Sequence, residues 1–181
     1  DQINFLSGEQ AQLLINENLS LAFTYAINDS EIGEGFQSAD TFDLMGDRDA
    51  VVGNEFSRFP KNSGSLSLSH VKELDAERTR FARMDYLYTG KMYASNAMLS
   101  HTGSGAKVNL RTGIETDSYR VEAYCTNCFN DNQPKGLQQM YDLSGITGGF
   151  GDGAVTAAGP RLLSISLADK RAIGVRASYK F

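Results

Sequence analysis

The C-terminal stretch 171–181, R-A-I-G-V-R-A-S-Y-K-F, constrains this chain more than any other. Ile173, Val175, Ala177, Tyr179 and Phe181 alternate with Gly174, Arg176, Ser178 and Lys180. A period of two with one apolar face marks a β-strand. A soluble sandwich seldom keeps an aromatic pair at the very end of a terminal strand. A membrane barrel uses both features: an apolar face toward lipid, a polar face toward the lumen, and aromatics at the membrane boundary.

The hydrophobic content of 41% is ordinary for a globular chain and decides nothing. The order of the residues is more informative. No apolar run approaches the roughly 20 residues a membrane helix requires, so a membrane-spanning chain of this kind has to be a barrel. Eighteen glycines and no tryptophan lean the same way. The net charge of −5, with no cluster of Lys and Arg, argues against a nucleic-acid partner. The chain starts at Asp1 without a charged and then apolar leader, which implies a removed signal peptide or a piece of a longer polypeptide.

Taken in order, residues 8–15 read as a partial strand and 16–18 as a tight polar turn. Leu19, Leu21, Phe23, Tyr25 and Ile27 then alternate with Ser20, Ala22, Thr24, Ala26 and Asn28. The acidic segment 29–62 reads as a long loop. Further strands are expected at 63–71, 80–93, 108–115 and 119–129, and again at the terminus, where the alternation reaches back in phase through Leu167, Ile165 and Leu163. Loops are expected at 94–105 and 130–160. The connections thus alternate short and long, as in an up-and-down barrel with tight periplasmic turns and extended extracellular loops. Arg83, Asp85, Arg111, Glu115, Arg120, Glu122, Arg176 and Lys180 all fall on the polar faces. A Lys or Arg on a lipid face at mid-membrane costs roughly 2–4 kcal/mol, so these charges are expected to face a wide lumen.

Several pieces resemble the end of the barrel of TonB-dependent outer-membrane receptors: M-D-Y-L-Y-T-G-K-M-Y (84–93), V-N-L-R-T-G-I-E (108–115), Y-R-V-E-A-Y-C-T-N-C-F-N-D (119–131) and the terminal K-R-A-I-G-V-R-A-S-Y-K-F. N-C-F-N-D resembles the Asn-Leu-(Phe/Thr)-Asp-Asp signature that ends the penultimate strand in such receptors, with Cys128 where Leu is usual. R-F-P-K-N-S-G-S-L-S-L-S resembles the proline-centred entry to an earlier strand.

The resemblance, which covers residues from about Glu9 to Phe181, implies an all-β, antiparallel, up-and-down transmembrane barrel segment. It would supply six strands and part of a seventh of a barrel of about 22. It implies uptake of a scarce nutrient of siderophore, corrinoid or carbohydrate type, with no enzyme activity, no cofactor and no metal. Ligand contact would come from loops 29–62, 94–105 and 130–160. The implied partners are outer-membrane lipid, the small-molecule nutrient, TonB through a plug-bearing part absent here, and the barrel assembly machinery through Tyr179 and Phe181. No nucleic acid is implied.

Other residues bear on chemistry. Cys125 and Cys128 form C-x-x-C, but residues three apart on a strand point to opposite faces about 10 Å apart. Two packed small residues are therefore expected, and a disulfide only if the strand has already ended at Asn127. Asp40, Asp43, Asp47 and Asp49 match no EF-hand spacing and read as a solvated acidic loop. His70 and His101 lack partners at catalytic spacing. Tyr86, Tyr88, Tyr93, Tyr119 and Tyr179 read as a membrane-boundary girdle. Gly148, Gly149, Gly151 and Gly153 lack the Lys-Ser/Thr of a phosphate loop. Two rivals stand beside the receptor reading. A complete eight-stranded barrel requires another strand before Leu19, and a soluble carbohydrate-binding β-sandwich requires the apolar faces to pack on one another.

Overall fold

The computed structural model describes residues 3–35, 50–141 and 161–180. Among them every regular element is an antiparallel β-strand. Seven strands form one sheet in simple sequential order: β1 (Ile3–Asn16), β2 (Leu19–Glu31), β3 (Asn62–Glu73), β4 (Thr79–Thr89), β5 (Gly105–Glu115), β6 (Tyr119–Thr126) and β9 (Ala172–Tyr179). A separate hairpin joins β7 (Gly136–Tyr141) to β8 (Arg161–Ser166). Most sheet strands run 11–14 residues, enough for a tilted membrane crossing. β1 and β9 lie at opposite edges of the sheet.

The register turns the alternation of single strands into two segregated faces. One rung runs Leu13, Leu21, Leu68, Met84, Leu110, Cys125, Ile173 across all seven strands. The adjoining rung on the other face runs Leu14, Ser20, Ser69, Arg83, Arg111, Tyr124, Gly174, polar or small at most positions beyond β1. A one-residue slip at any pairing would interleave them.

The connections 17–18, 74–78 and 116–118 are short and lie at one end of the sheet, while the long ones, 32–61, 90–104 and 127–171, leave and re-enter the sheet at the other. At the long-loop end a small core forms around Ile32 and Val51, both fully buried. Backbone bonds from Ile32 N to Asn54 O and from Gly53 N to Ile32 O close it. The neighbouring loop is tied on through Asn96, whose Oδ1 accepts from Ser57 N and whose carbonyl accepts from Asn54 Nδ2.

Five expectations need correction. β1 is a full strand paired with β2 along nearly its whole length, where residues 8–15 promised only a partial one. β4 ends at Thr89 rather than 93: Gly90 N still donates to Asn62 O, but β3 begins at Asn62 and offers no partner beyond it. β6 ends at Thr126, and Asn127 takes a left-handed φ of 47°. Finally, residues 136–141 are a strand, where 130–160 was expected to be loop. The backward extension of the terminal strand is interrupted over 167–171, and β8 pairs with β7 instead of with β6.

Candidate functional site

The polar face carries the chemistry. Its first cluster centres on Asp85, which accepts from Ser67 Oγ at 2.6 Å and Arg83 Nε at 2.8 Å, with Arg111 Nη2 at 3.6 Å. The second cluster centres on Glu122. Its two oxygens meet Arg120 Nη2 at 3.0 Å and Arg176 Nη1 at 3.4 Å, while Arg120 Nη1 also donates to Glu115 at 3.0 Å. Lys180 completes it at 3.9 Å from Glu115. Register explains the assembly, since Glu122 pairs with Arg176 on β9 and Arg120 pairs with Glu115 on β5.

Aromatics on the same face lie against the guanidiniums: Arg120 is 4.1 Å from the centroid of Phe81, and Arg176 is 5.6 Å from that of Tyr124. A Cβ at Gly113 would collide with the backbone oxygen of Val121 and stand 2.8 Å from the Phe81 ring, so glycine is what lets this layer close. The eight charges singled out from the sequence therefore do share one face, in two connected groups.

The end of β6 forms a latch. Asn127 is 3% exposed and uses every polar group it has. Its backbone N–H donates to Asn109 Oδ1, its Nδ2 donates to the carbonyls of Asp131 and Asp169, and its Oδ1 accepts from Asp131 N. Asp131 in turn accepts from Ala106 N at 2.7 Å and from Gln133 N, and Asn130 Oδ1 accepts from Arg171 N. The N-C-F-N-D segment thus fastens β5, β6 and the approach to β9. The expectation that Cys125 and Cys128 are merely packed small residues is overturned: they form a disulfide, with Cα atoms 5.6 Å apart. The strand has ended and the chain has turned back at Asn127, which removes the separation a continuous strand would impose.

Segment 131–135 lies along the polar face of β4 and β5 and borders a half-open pocket of about 240 Å³. Thr89, Thr102, Lys107, Asp131, Gln133 and Lys135 line it. Nearby, Lys135 ion-pairs with Asp169 at 2.5 Å, and this hydrogen bond, then the Lys135 charge, holds the Asp169 carboxyl below its usual range. Periodicity gave no signal for the pocket. The N-C-F-N-D motif was the only pointer to the latch, and Asn109 and Gln133 carried none.

The remaining candidates separate. Tyr119 and Tyr179 pair directly on the apolar face at the short-turn end, and Tyr86 and Tyr88 occupy that face nearer the long loops. Tyr93 does not join them: it sits in the 90–104 loop, edge-on to His101 and within 2.7 Å of Lys91. His70 lies on the apolar face opposite Leu19 and Ala82. Asp40, Asp43, Asp47, Asp49, the glycines at 148, 149, 151 and 153, and Phe181 fall outside the described residues. Among the described residues no group of three or more His, Cys, Asp or Glu is placed to hold a metal ion. No protein-family model matches the chain, and no curated protein is detectably similar to it.

Proposed function

We propose that this chain forms a stretch of the wall and the extracellular loops of a transmembrane β-barrel in the bacterial outer membrane, and that the barrel is a TonB-dependent receptor importing a scarce nutrient. One observation carries the membrane reading: the aliphatic face of the sheet stands open, and among the described residues no second layer covers it. Glu122 is 7% exposed, whereas its neighbour Val121 is 42% exposed and Ile173 and Val175 are 74% and 73% exposed. In water such a sheet would leave its largest apolar surface unburied, against the main driving force of folding. In lipid the same arrangement is the stable one, with charges shielded in a lumen and aliphatic side chains outward.

The height of the apolar face fits. From the row of Tyr88 and Ala106 to the row of Tyr119 and Tyr179 is about ten residues of strand, roughly 33 Å. A tilt of about 40° projects this to about 25 Å, the apolar band of an outer-membrane barrel. The β-sandwich rival would need a second sheet on the apolar face, and among the described residues none covers it. The eight-stranded rival is less economical, because β1 and β9 bound a seven-stranded sheet without pairing with each other. The receptor identity rests on the sequence motifs, with the latch at 127–131 giving its most specific member a physical role.

In this reading the loops 32–61, 90–104 and 127–171, with the pocket beside segment 131–135, meet the ligand, and the charged clusters face the lumen. The protein transports and does not catalyse. The test is expression of the native polypeptide followed by outer-membrane fractionation and ligand uptake with and without TonB. A heat-modifiable outer-membrane band and TonB-dependent uptake are expected. Recovery as a soluble monomer without detergent would refute the membrane reading, and uptake unaffected by TonB would refute the receptor identity.

A further inference from the structure

The apolar face has one basic interruption, at the short-turn end of β3 and β4. Leu66 and Leu68 pair there with Tyr86 and Met84, and the next two rungs are His70 with Ala82 and Lys72 with Arg80. Lys72 and Arg80 therefore stand side by side, both exposed, on the same side of the sheet as Leu68 and Met84. Among the described residues neither takes part in an ion pair. Of the nearby acids, Asp75 is bound to Arg78, Glu77 adds to the field at Arg78, Glu115 pairs with Arg120 and Glu73 alternates onto the opposite face, while Glu17, in the turn beyond the Leu19 and His70 pair, makes no ion pair with Lys72.

Next to these cations the same face holds an apolar depression of about 460 Å³. Its small residues Ala82, Thr112 and Ala123 are neighbours across β4, β5 and β6, and the row of Met84, Leu110 and Ile173 bounds them on the side away from the cations. His70 lines the depression one rung from Lys72.

We propose that this is a binding site for an anionic phospholipid of the inner leaflet. The phosphodiester sits on Lys72 and Arg80, with His70 beside it, and one acyl chain lies across Ala82, Thr112 and Ala123. The inference rests on the membrane reading above. Lys72 and Arg80 lie one rung inside the row of Tyr119 and Tyr179, where a bare cation is unfavourable, and their long side chains reach outward to the phosphates at the short-turn end. Charge complementarity specifies the headgroup, and the apolar depression selects a lipid over a free phosphate. Each cation is expected to contribute about fivefold to retention of an anionic headgroup.

The experiment is native mass spectrometry on the protein extracted from membranes in mild detergent and equilibrated with equal phosphatidylglycerol and phosphatidylethanolamine of matched chains. Wild type is expected to retain phosphatidylglycerol preferentially. Lys72→Gln with Arg80→Gln should reduce that retention about 25-fold, while the charge-conserving pair Lys72→Arg with Arg80→Lys keeps it. Ala123→Phe, which fills the depression, should also reduce it. Equal retention of both lipids by wild type, or no loss in the Gln pair, overturns the site while leaving the membrane reading intact. Failure of the wild type to enter membranes at all overturns both.

Discussion

Replacing Asn127 by Ala removes three side-chain hydrogen bonds, to Asp131 O, Asp169 O and Asp131 N, each between 2.8 and 2.9 Å. At roughly 1 kcal/mol net per bond this amounts to about 3 kcal/mol. The left-handed φ of 47° adds about 1 kcal/mol more, because Ala tolerates that region less well than Asn. The latch in Asn127→Ala should therefore open about 4 kcal/mol more easily, which is close to a thousandfold in the opening constant. Asn127→Gly loses the same three bonds without the φ penalty and should fall about 1 kcal/mol short of that. The assay is amide hydrogen exchange at Asp131 and Arg171, whose N–H groups donate to Asn127 and Asn130. An exchange rate raised less than tenfold in Asn127→Ala would refute the latch, and Gly more damaging than Ala would refute the role given to the backbone conformation.

On β9, Val175→Lys places a charge on the apolar face and should cost about 2–4 kcal/mol in denaturant unfolding from lipid vesicles, whereas Ser178→Lys on the other face should cost far less; equal costs would contradict the assignment of faces. Glu122→Ala leaves Arg120 and Arg176 without their shared carboxylate, and a loss of roughly 1–3 kcal/mol is expected in the same assay, smaller for Glu122→Gln, with no loss counting against the cluster. The Asp75 carboxyl is held below its ordinary value of 3.8 by the Arg78 side-chain hydrogen bond and then by Glu77 N–H. Its contribution to the turn is thus present above 3.8 and is lost as pH falls through the lowered folded value. Exchange at the Glu77 and Arg78 amides should stay slow until pH drops below the ordinary carboxylate range, and Asp75→Asn should abolish that acid dependence.

The sheet was legible because β2 through β6 and β9 each bury a different chemistry on each face, which writes a period of two into the sequence. β7 was not, since Gly136, Leu137, Gln138, Gln139, Met140 and Tyr141 carry no alternation, and its pairing with β8 spans the whole intervening segment. The end of β6 was misjudged for a related reason. The stop at Thr126 combines a local turn, Asn127 bonding to Asp131 four positions on, with a bond to Asp169, 42 positions away, and neither leaves a mark in the period of two. The disulfide was missed as a consequence, because its geometry depends on that stop. Charges of the candidate site could be assigned to a face from parity alone, whereas the pocket beside segment 131–135 depends on where a loop lies, which no periodicity records.

What keeps charge on one face and aliphatic surface on the other is the register, and the register is set at the three short turns. Each uses the same device. Asn16 Oδ1 accepts from Asn18 N at 2.9 Å, Asp75 Oδ1 from Glu77 N at 3.1 Å, and Thr116 Oγ1 from Ser118 N at 3.3 Å. A side-chain oxygen two residues before the N–H mimics a backbone turn and fixes where the chain reverses. Because side chains alternate with a period of two, an error of one residue at any of these reversals would carry the whole following strand to the wrong face. In the lipid setting proposed here, such a slip at the 116–118 turn would move Arg120 and Glu122 toward hydrocarbon and Val121 and Ala123 into the lumen. The penalty for misreading a turn is then several charged side chains at once, so three small polar residues at one end of the sheet govern the segregation on which the membrane reading depends.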